Sequence, residues 1–119
     1  MDLGGVENGV LLKLMSASSL RARVIANNIS HQNVPGFQRQ VVRFEDMLAP
    51  ALAAGGESAL AVEPRVETDT RTPSSPDGNN VSMEVEMNAM RENRLMYELY
   101  ATILQGRMTL LDTTLNASR

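Results

Sequence analysis

MEVEMNAMRENRLMYELYATILQGRMTLLDTTL, running from Met83 to Leu115, is the stretch whose reading decides the fold. Steps of three and four visit Met83, Met87, Met90, Arg94, Tyr97, Ala101, Leu104, Met108, Leu111 and Leu115. Only Arg94 interrupts the apolar run, so the spacing predicts a long helix with a seam of coiled-coil type. Val85, Met96, Leu99, Ile103 and Leu110 add a second apolar set. Ser82 suits an N-cap, and Glu84 and Glu86 suit the positive end of the helix dipole. Arg107 and Arg119 stand toward the other end, where cations are favoured. Gly106 inside the pattern reads as a place where another helix comes close.

Upstream, Val6 to Ile29 also reads as a helix. One stripe takes in Leu3, Val6, Val10, Lys13, Ala17, Leu20, Val24 and Asn27; another takes in Leu11, Met15, Ser18, Ala22, Ile25 and Ile29. Two stripes imply neighbours on more than one side. Between the helices, Pro50, Pro64, Pro73 and Pro76 crowd together with Gly55-Gly56 and Asp77-Gly78. No single long helix can cross that stretch. It is either disordered or holds a small extended element built from Ala59–Val62 and Arg65–Thr68.

The expected fold class is therefore all-α. Two long terminal helices pack as a coiled-coil-like pair, joined by a Pro/Gly-rich connector with a possible short β element. Residues 1–48 supply the first helix and its turn, 49–81 the connector, and 82–119 the second helix of the same unit. Two helices in a chain of 119 residues make a thin core. The unused stripes then call for other copies or other chains.

Composition narrows the function. Apolar residues make up 43% of the chain and aromatic ones only 3%, which favours aliphatic helix packing. A net charge of −3 offers no broad basic surface to nucleic acid. The lack of cysteine and the single histidine remove thiol chemistry, disulfides and His- or Cys-built metal sites. Glu84, Glu86, Glu92 and Glu98 read as a solvated helix face, and His31 as a polar turn residue. Arg21, Arg23, Arg39 and Arg43 make the N-terminal part basic against an acidic connector, which suggests charge pairing between subunits. No catalytic, cofactor or metal residues are expected. No run of residues is apolar enough to span a bilayer. The opening Met1-Asp2-Leu3-Gly4-Gly5 lacks the basic and apolar regions of a cleavable signal, so none is expected.

After the first helix, Val34-Pro35-Gly36-Phe37 reads as a tight turn. Pro35 forces Val34 out of the helical region, and Pro-Gly suits the central positions of a type II turn. Ala26-Asn27-Asn28-Ile29-Ser30 leading into Pro35-Gly36-Phe37 resembles the N-terminal signature of the bacterial flagellar rod, hook and hook-associated proteins. That signature runs Asn-Ile-Ala/Ser-Asn and then Thr-Pro-Gly-Tyr/Phe. The run Asp77-Gly78-Asn79-Asn80-Val81, opening into an acidic helix start, is similar to the proximal rod members, as is the short chain. His31 and Val34 stand where the family usually has Asn and Thr.

The resemblance implies a structural subunit of the proximal rod that assembles through its terminal helices into a tubular drive shaft. It implies export by the flagellar type III apparatus without a cleaved signal, and a periplasmic position in the basal body. Its implied partners are the rod subunits FlgC and FlgF, the adaptor FliE and the MS-ring protein FliF, with neither nucleic acid nor a membrane span. Candidate packing residues are Val10, Leu14, Leu20, Val24, Met87, Leu104, Met108, Leu111 and Leu115. Candidate motif residues are Asn28, Ile29, Pro35, Gly36, Phe37, Asp77, Gly78, Asn79, Asn80 and Val81. A soluble helical export chaperone or adaptor is the alternative function.

Overall fold

The computed structural model describes residues 5–117, so the expectations placed on Leu3 and Arg119 lie outside the described residues. The chain is mostly helical. Helix α1 spans Gly5–Ser30, strand β1 Gln40–Arg43, α2 Glu45–Ala54, α3 Gly56–Leu60, β2 Arg65–Thr68 and α4 Met83–Ala117. At ~1.5 Å per residue the two long helices measure about 39 and 52 Å. They run antiparallel: Asn28 reaches Glu86, Ser18 meets Asn93, and Asn8 meets Arg107. The body is long and thin, 67 × 27 × 14 Å.

The segment between the helices carries more structure than its prolines suggest. Strand β2 exists over Arg65–Thr68, but its partner is β1, antiparallel, with Gln40 opposite Thr68 and Arg43 opposite Arg65. Ala59, expected in an extended piece, belongs to α3. Helix α2 begins at Glu45 and contains Pro50. It survives because it is short: Pro50 removes one backbone hydrogen bond, and Gly55 at φ +132° ends the helix soon after.

These small elements cover one side of α1. Phe44 and Ala59, both fully buried, meet Ala17 of α1 and Leu48 of α2, with Val10, Leu14, Ala51 and Val62 around them. Gly9 lets α3 come near, since a Cβ there would lie 2.6 Å from a Leu60 methyl carbon. Lys13 adds a hydrogen bond of 2.9 Å to the Val62 carbonyl and an ion pair of 2.7 Å to Glu63. The stripe of α1 that takes in Val10, Lys13 and Ala17 is thus covered by the chain's own residues 44–63. It does not have to wait for other copies.

Helix α4 is different. Leu95 and Leu110 are 66% and 67% exposed. Val85, Met87, Met96, Leu99, Ile103, Met108 and Leu115 are exposed as well. The side turned to α1 consists of Glu86, Ala89, Met90, Asn93, Tyr100, Ala101, Leu104, Arg107 and Leu111, all buried or half-buried. The expected seam through Met87, Arg94 and Met108 is therefore not the one used. The helix is turned so that polar residues lie inside. Gly106 faces open space, with nothing within 4 Å of a Cβ built there, so it does not serve a close helix approach in this chain.

Candidate functional site

Two features stand out: a polar clasp where the chain doubles back, and the bare face of α4. The clasp begins at the end of α1. Phe37 N–H donates to the Val34 carbonyl at 3.2 Å and Gly36 has φ +77°, so Val34–Phe37 is the type II turn that the Pro-Gly pair predicts. His31 stacks on Phe37 with ring centroids 4.5 Å apart, and its Nδ1 lies 2.7 Å from the Asn27 carbonyl.

The second motif grips this turn. Gly36 N–H donates to the Asp77 carbonyl at 2.9 Å, and Asn80 N–H to the Phe37 carbonyl at 3.2 Å. The Asn79 amide donates to the carbonyls of His31 and Val34 at 2.9 and 2.8 Å. Arg39 N–H donates to Asn80 Oδ1 at 2.6 Å, and Asn80 Nδ2 donates to the Asp69 carbonyl at 2.9 Å. Gly78 sits so close that an added Cβ would stand 3.2 Å from Gly36 Cα. Asn79 and Asn80 are buried because they replace the ladder partners that this irregular backbone lacks. The structure thus brings Pro35, Gly36 and Phe37 against Asp77, Gly78, Asn79 and Asn80. Val81 N–H donates to Asn79 Oδ1 at 2.7 Å and leads into Ser82. From there Glu86 N–H donates to the Ser82 carbonyl at 2.9 Å, and Val85 N–H lies 3.4 Å from the Ser82 hydroxyl, as an N-cap requires. Ile29 is half-buried beside the clasp.

Below the turn lies an ionic centre that the sequence reading missed. Glu86 is fully buried, contrary to the expected solvated face. Its Oε1 accepts from Arg39 Nε at 2.6 Å and its Oε2 from Asn28 Nδ2 at 3.3 Å. Arg39 Nη1 reaches Asp69 Oδ2 at 2.7 Å. Burial works against the Arg39 charge, but the hydrogen bonds and charges of Glu86 and Asp69 outweigh it and hold the guanidinium above its usual range. Asp69 is held well below the usual carboxylate range, chiefly by the Thr72 hydroxyl and then by Arg39. Asn28, fully buried, exchanges two hydrogen bonds of 2.9 Å with the backbone of Gln40. With the bond from Arg21 to the Val42 carbonyl at 3.1 Å, it closes the outer edge of β1.

The basic residues expected to pair between subunits are largely engaged within the chain. Arg21 forms two bonds to Glu45, at 3.0 and 2.8 Å, and Arg43 pairs with Asp46. The candidate packing residues divide. Val10 and Leu14 pack on the internal core, and Val24 is buried. Leu20, Leu104 and Leu111 are half-buried. Met87, Met108 and Leu115 face outward.

Comparison with known proteins follows the same line. No family model matches the sequence. The flagellar basal body rod protein FlgB of Borrelia hermsii is 29% identical over 110 residues, covering 76% of this chain and 82% of that protein. FlgB of Yersinia enterocolitica is 27% identical over 122 residues, covering 85% of this chain and 89% of that protein. Over most of its length the chain is similar to FlgB, a flagellar basal body rod protein. The basal-body rod protein FlgG of Caulobacter vibrioides is also similar, 30% identical over 102 residues, but this chain spans only 32% of its length. The protein is a structural subunit of the basal-body proximal rod, in a family of structural proteins and not of enzymes. Among the described residues no helix is long and apolar enough to cross a membrane.

Proposed function

We propose that this subunit enters the rod through its terminal helices, with residues 1–48 and 82–119 as one axial unit and 49–81 as its appended connector. The bare face of α4 supports this reading. Leu95, Leu99, Ile103 and Leu110 stand in water although burying a side chain of that size is worth roughly 1.5–3 kcal/mol. A contiguous apolar surface on a small chain marks an interface, and neighbouring helices of a tubular wall would cover it. Torque then passes through many interlocked apolar contacts packed as densely as a protein interior.

In this reading the neighbours are FlgC and FlgF along the rod, and FliE and FliF at its base. The chain arrives in the periplasm through the flagellar type III apparatus without a cleaved signal. Val10, Leu14 and Val24 support the unit from within, whereas Met87, Met108 and Leu115 join the intersubunit packing. Replacing Leu110 by Glu tests the proposal. The free chain should keep its melting temperature within about 2 °C, because surface substitutions away from special features usually change stability by under ~0.5 kcal/mol. Cells carrying only this variant should lack rods and fail to swim. Swimming at the normal rate would refute the assignment of this face.

A further inference from the structure

Helix α4 offers α1 two possible seams. One runs through Glu86, Met90, Asn93, Tyr100, Leu104, Arg107 and Leu111. The other runs through Met87, Met90, Arg94, Tyr97, Ala101, Leu104, Met108 and Leu111. They share Met90, Leu104 and Leu111, and differ by a turn of about 50° about the helix axis, given ~100° per residue. By burial of apolar surface alone the second seam wins, since only Arg94 interrupts it. The structure uses the first.

What distinguishes the first seam is a set of polar contacts at Glu86, Asn93 and Arg107, seven and then fourteen residues apart along the helix. Glu86 meets Asn28 and Arg39, Asn93 donates to the Ser18 carbonyl at 2.8 Å, and Arg107 meets Asn8 and Glu7 at 2.8 and 2.5 Å. Asn93 is 7% exposed, and its Oδ1 is buried with no hydrogen-bond partner, the one such side-chain atom among the described residues. A group placed for stability alone would not leave a buried acceptor unpaired. A buried polar residue that fixes the alignment of paired helices at a cost in stability is a known device.

We propose that Glu86, Asn93 and Arg107 form a rotational lock: they hold α4 turned so that its apolar face stays outward and available. Asn93 and Arg107 are positioning residues in this device, and Glu86 is its fixed end at the clasp. The lock is a property of the free chain, so its test does not depend on how the rod assembles.

The chain has no cysteine, so Met108→Cys provides a unique thiol on the outward face, at a position 53% exposed. Two variants are compared in that background. Arg94→Leu alone makes the unused seam fully apolar while leaving every lock contact in place. Arg94→Leu combined with Asn93→Ala and Arg107→Ala also removes two of the three contacts. With Glu86 still pinned, the turn accumulates over the following residues at about 2° each, which a helix pair tolerates.

The expected result is an alkylation rate at position 108 unchanged by Arg94→Leu and at least tenfold slower in the triple variant, with helicity retained in both. Protection by Arg94→Leu alone would show that apolar content sets the rotation, and would overturn the proposal. So would a triple variant that reacts as fast as the parent. Loss of helicity in the triple variant would assign these contacts to holding the pair together and not to turning it, and would equally overturn the proposal.

Discussion

Arg39→Met removes the cation from the ionic centre while keeping much of its aliphatic volume. Glu86 is fully buried and the Arg39 side chain is only 13% exposed, so solvent screens the pair weakly. Without Arg39, the Glu86 carboxylate keeps one hydrogen bond from Asn28, at 3.3 Å, and no countercharge nearby in the cluster. Breaking a buried pair from one side costs roughly 3–5 kcal/mol, because the remaining charge stays desolvated. That is a large share of the ~5–15 kcal/mol that holds a domain of this size. At about 4 °C per kcal/mol the melting temperature should fall by some 12–20 °C. Urea unfolding followed by circular dichroism at 222 nm gives the free energy by linear extrapolation. The double variant Arg39→Met/Glu86→Leu supplies the control. It removes both charges, leaves the bonds between Asn28 and Gln40 in place, and should recover to within about 1–2 kcal/mol of the parent. A loss below about 1 kcal/mol for Arg39→Met, or a double variant no more stable than the single one, would refute the reasoning.

Asp69 gives the free chain an acid-sensitive component. Its folded carboxyl lies below the ordinary value of 3.8, so its contribution is complete above about pH 5 and is lost as pH falls through the folded value. The urea midpoint of the parent should drop more steeply from pH 5 to pH 3 than that of Asp69→Asn, and parallel curves would count against the assignment. Gly36 and Gly78 both have positive φ, at +77° and +89°, but only Gly78 also has backbone within 3.2 Å of its would-be Cβ. Gly36→Ala should cost about 1–2 kcal/mol, and Gly78→Ala clearly more, as read from their melting temperatures. Hydrogen exchange along α4 should be slowest near Glu86–Asn93 and approach free-chain rates beyond Arg107, where only Leu111 is half-buried; uniform protection would contradict this gradient.

Much of this was legible in the sequence, and the reasons it stopped where it did are physical. The long helices follow from periodicity, which is strongest for extended amphipathic segments. The turn at Val34–Phe37 follows from the steric demands of Pro35 and Gly36. The side of α4 that faces α1 was misread, because periodicity ranks seams by apolar content whereas three polar contacts decide the outcome. Glu86 could not be singled out among Glu84, Glu92 and Glu98: its partners Arg39 and Asn28 are 47 and 58 residues away, and no local pattern reports them. Helix α2 was hidden by Pro50, since a proline argues against helix wherever tertiary packing does not override it. Here Leu48 and Ala51 pack on the core around Phe44 and do override it. The contact between the two motifs was also invisible, although the clustering of Asn and Gly in both was the available sign of irregular backbone needing side-chain partners.

The arrangement reverses the usual division of labour in a small protein. Ordinarily apolar residues go inside and charge stays out. Here the seam between the long helices holds Glu86, Asn93 and Arg107, while Leu95, Leu99 and Leu110 stand in water. Neither half of this is favourable for an isolated chain: the polar seam carries desolvation cost, and the outer face forgoes hydrophobic gain. Each cost has a use if the chain is a component. Directional contacts fix which way the helix points, as apolar packing with its loose angular preference does not. A fixed direction in turn presents one defined surface to neighbours. The local core around Phe44 and the clasp at Gly36–Gly78 then need only keep the two helices in place until that surface is covered.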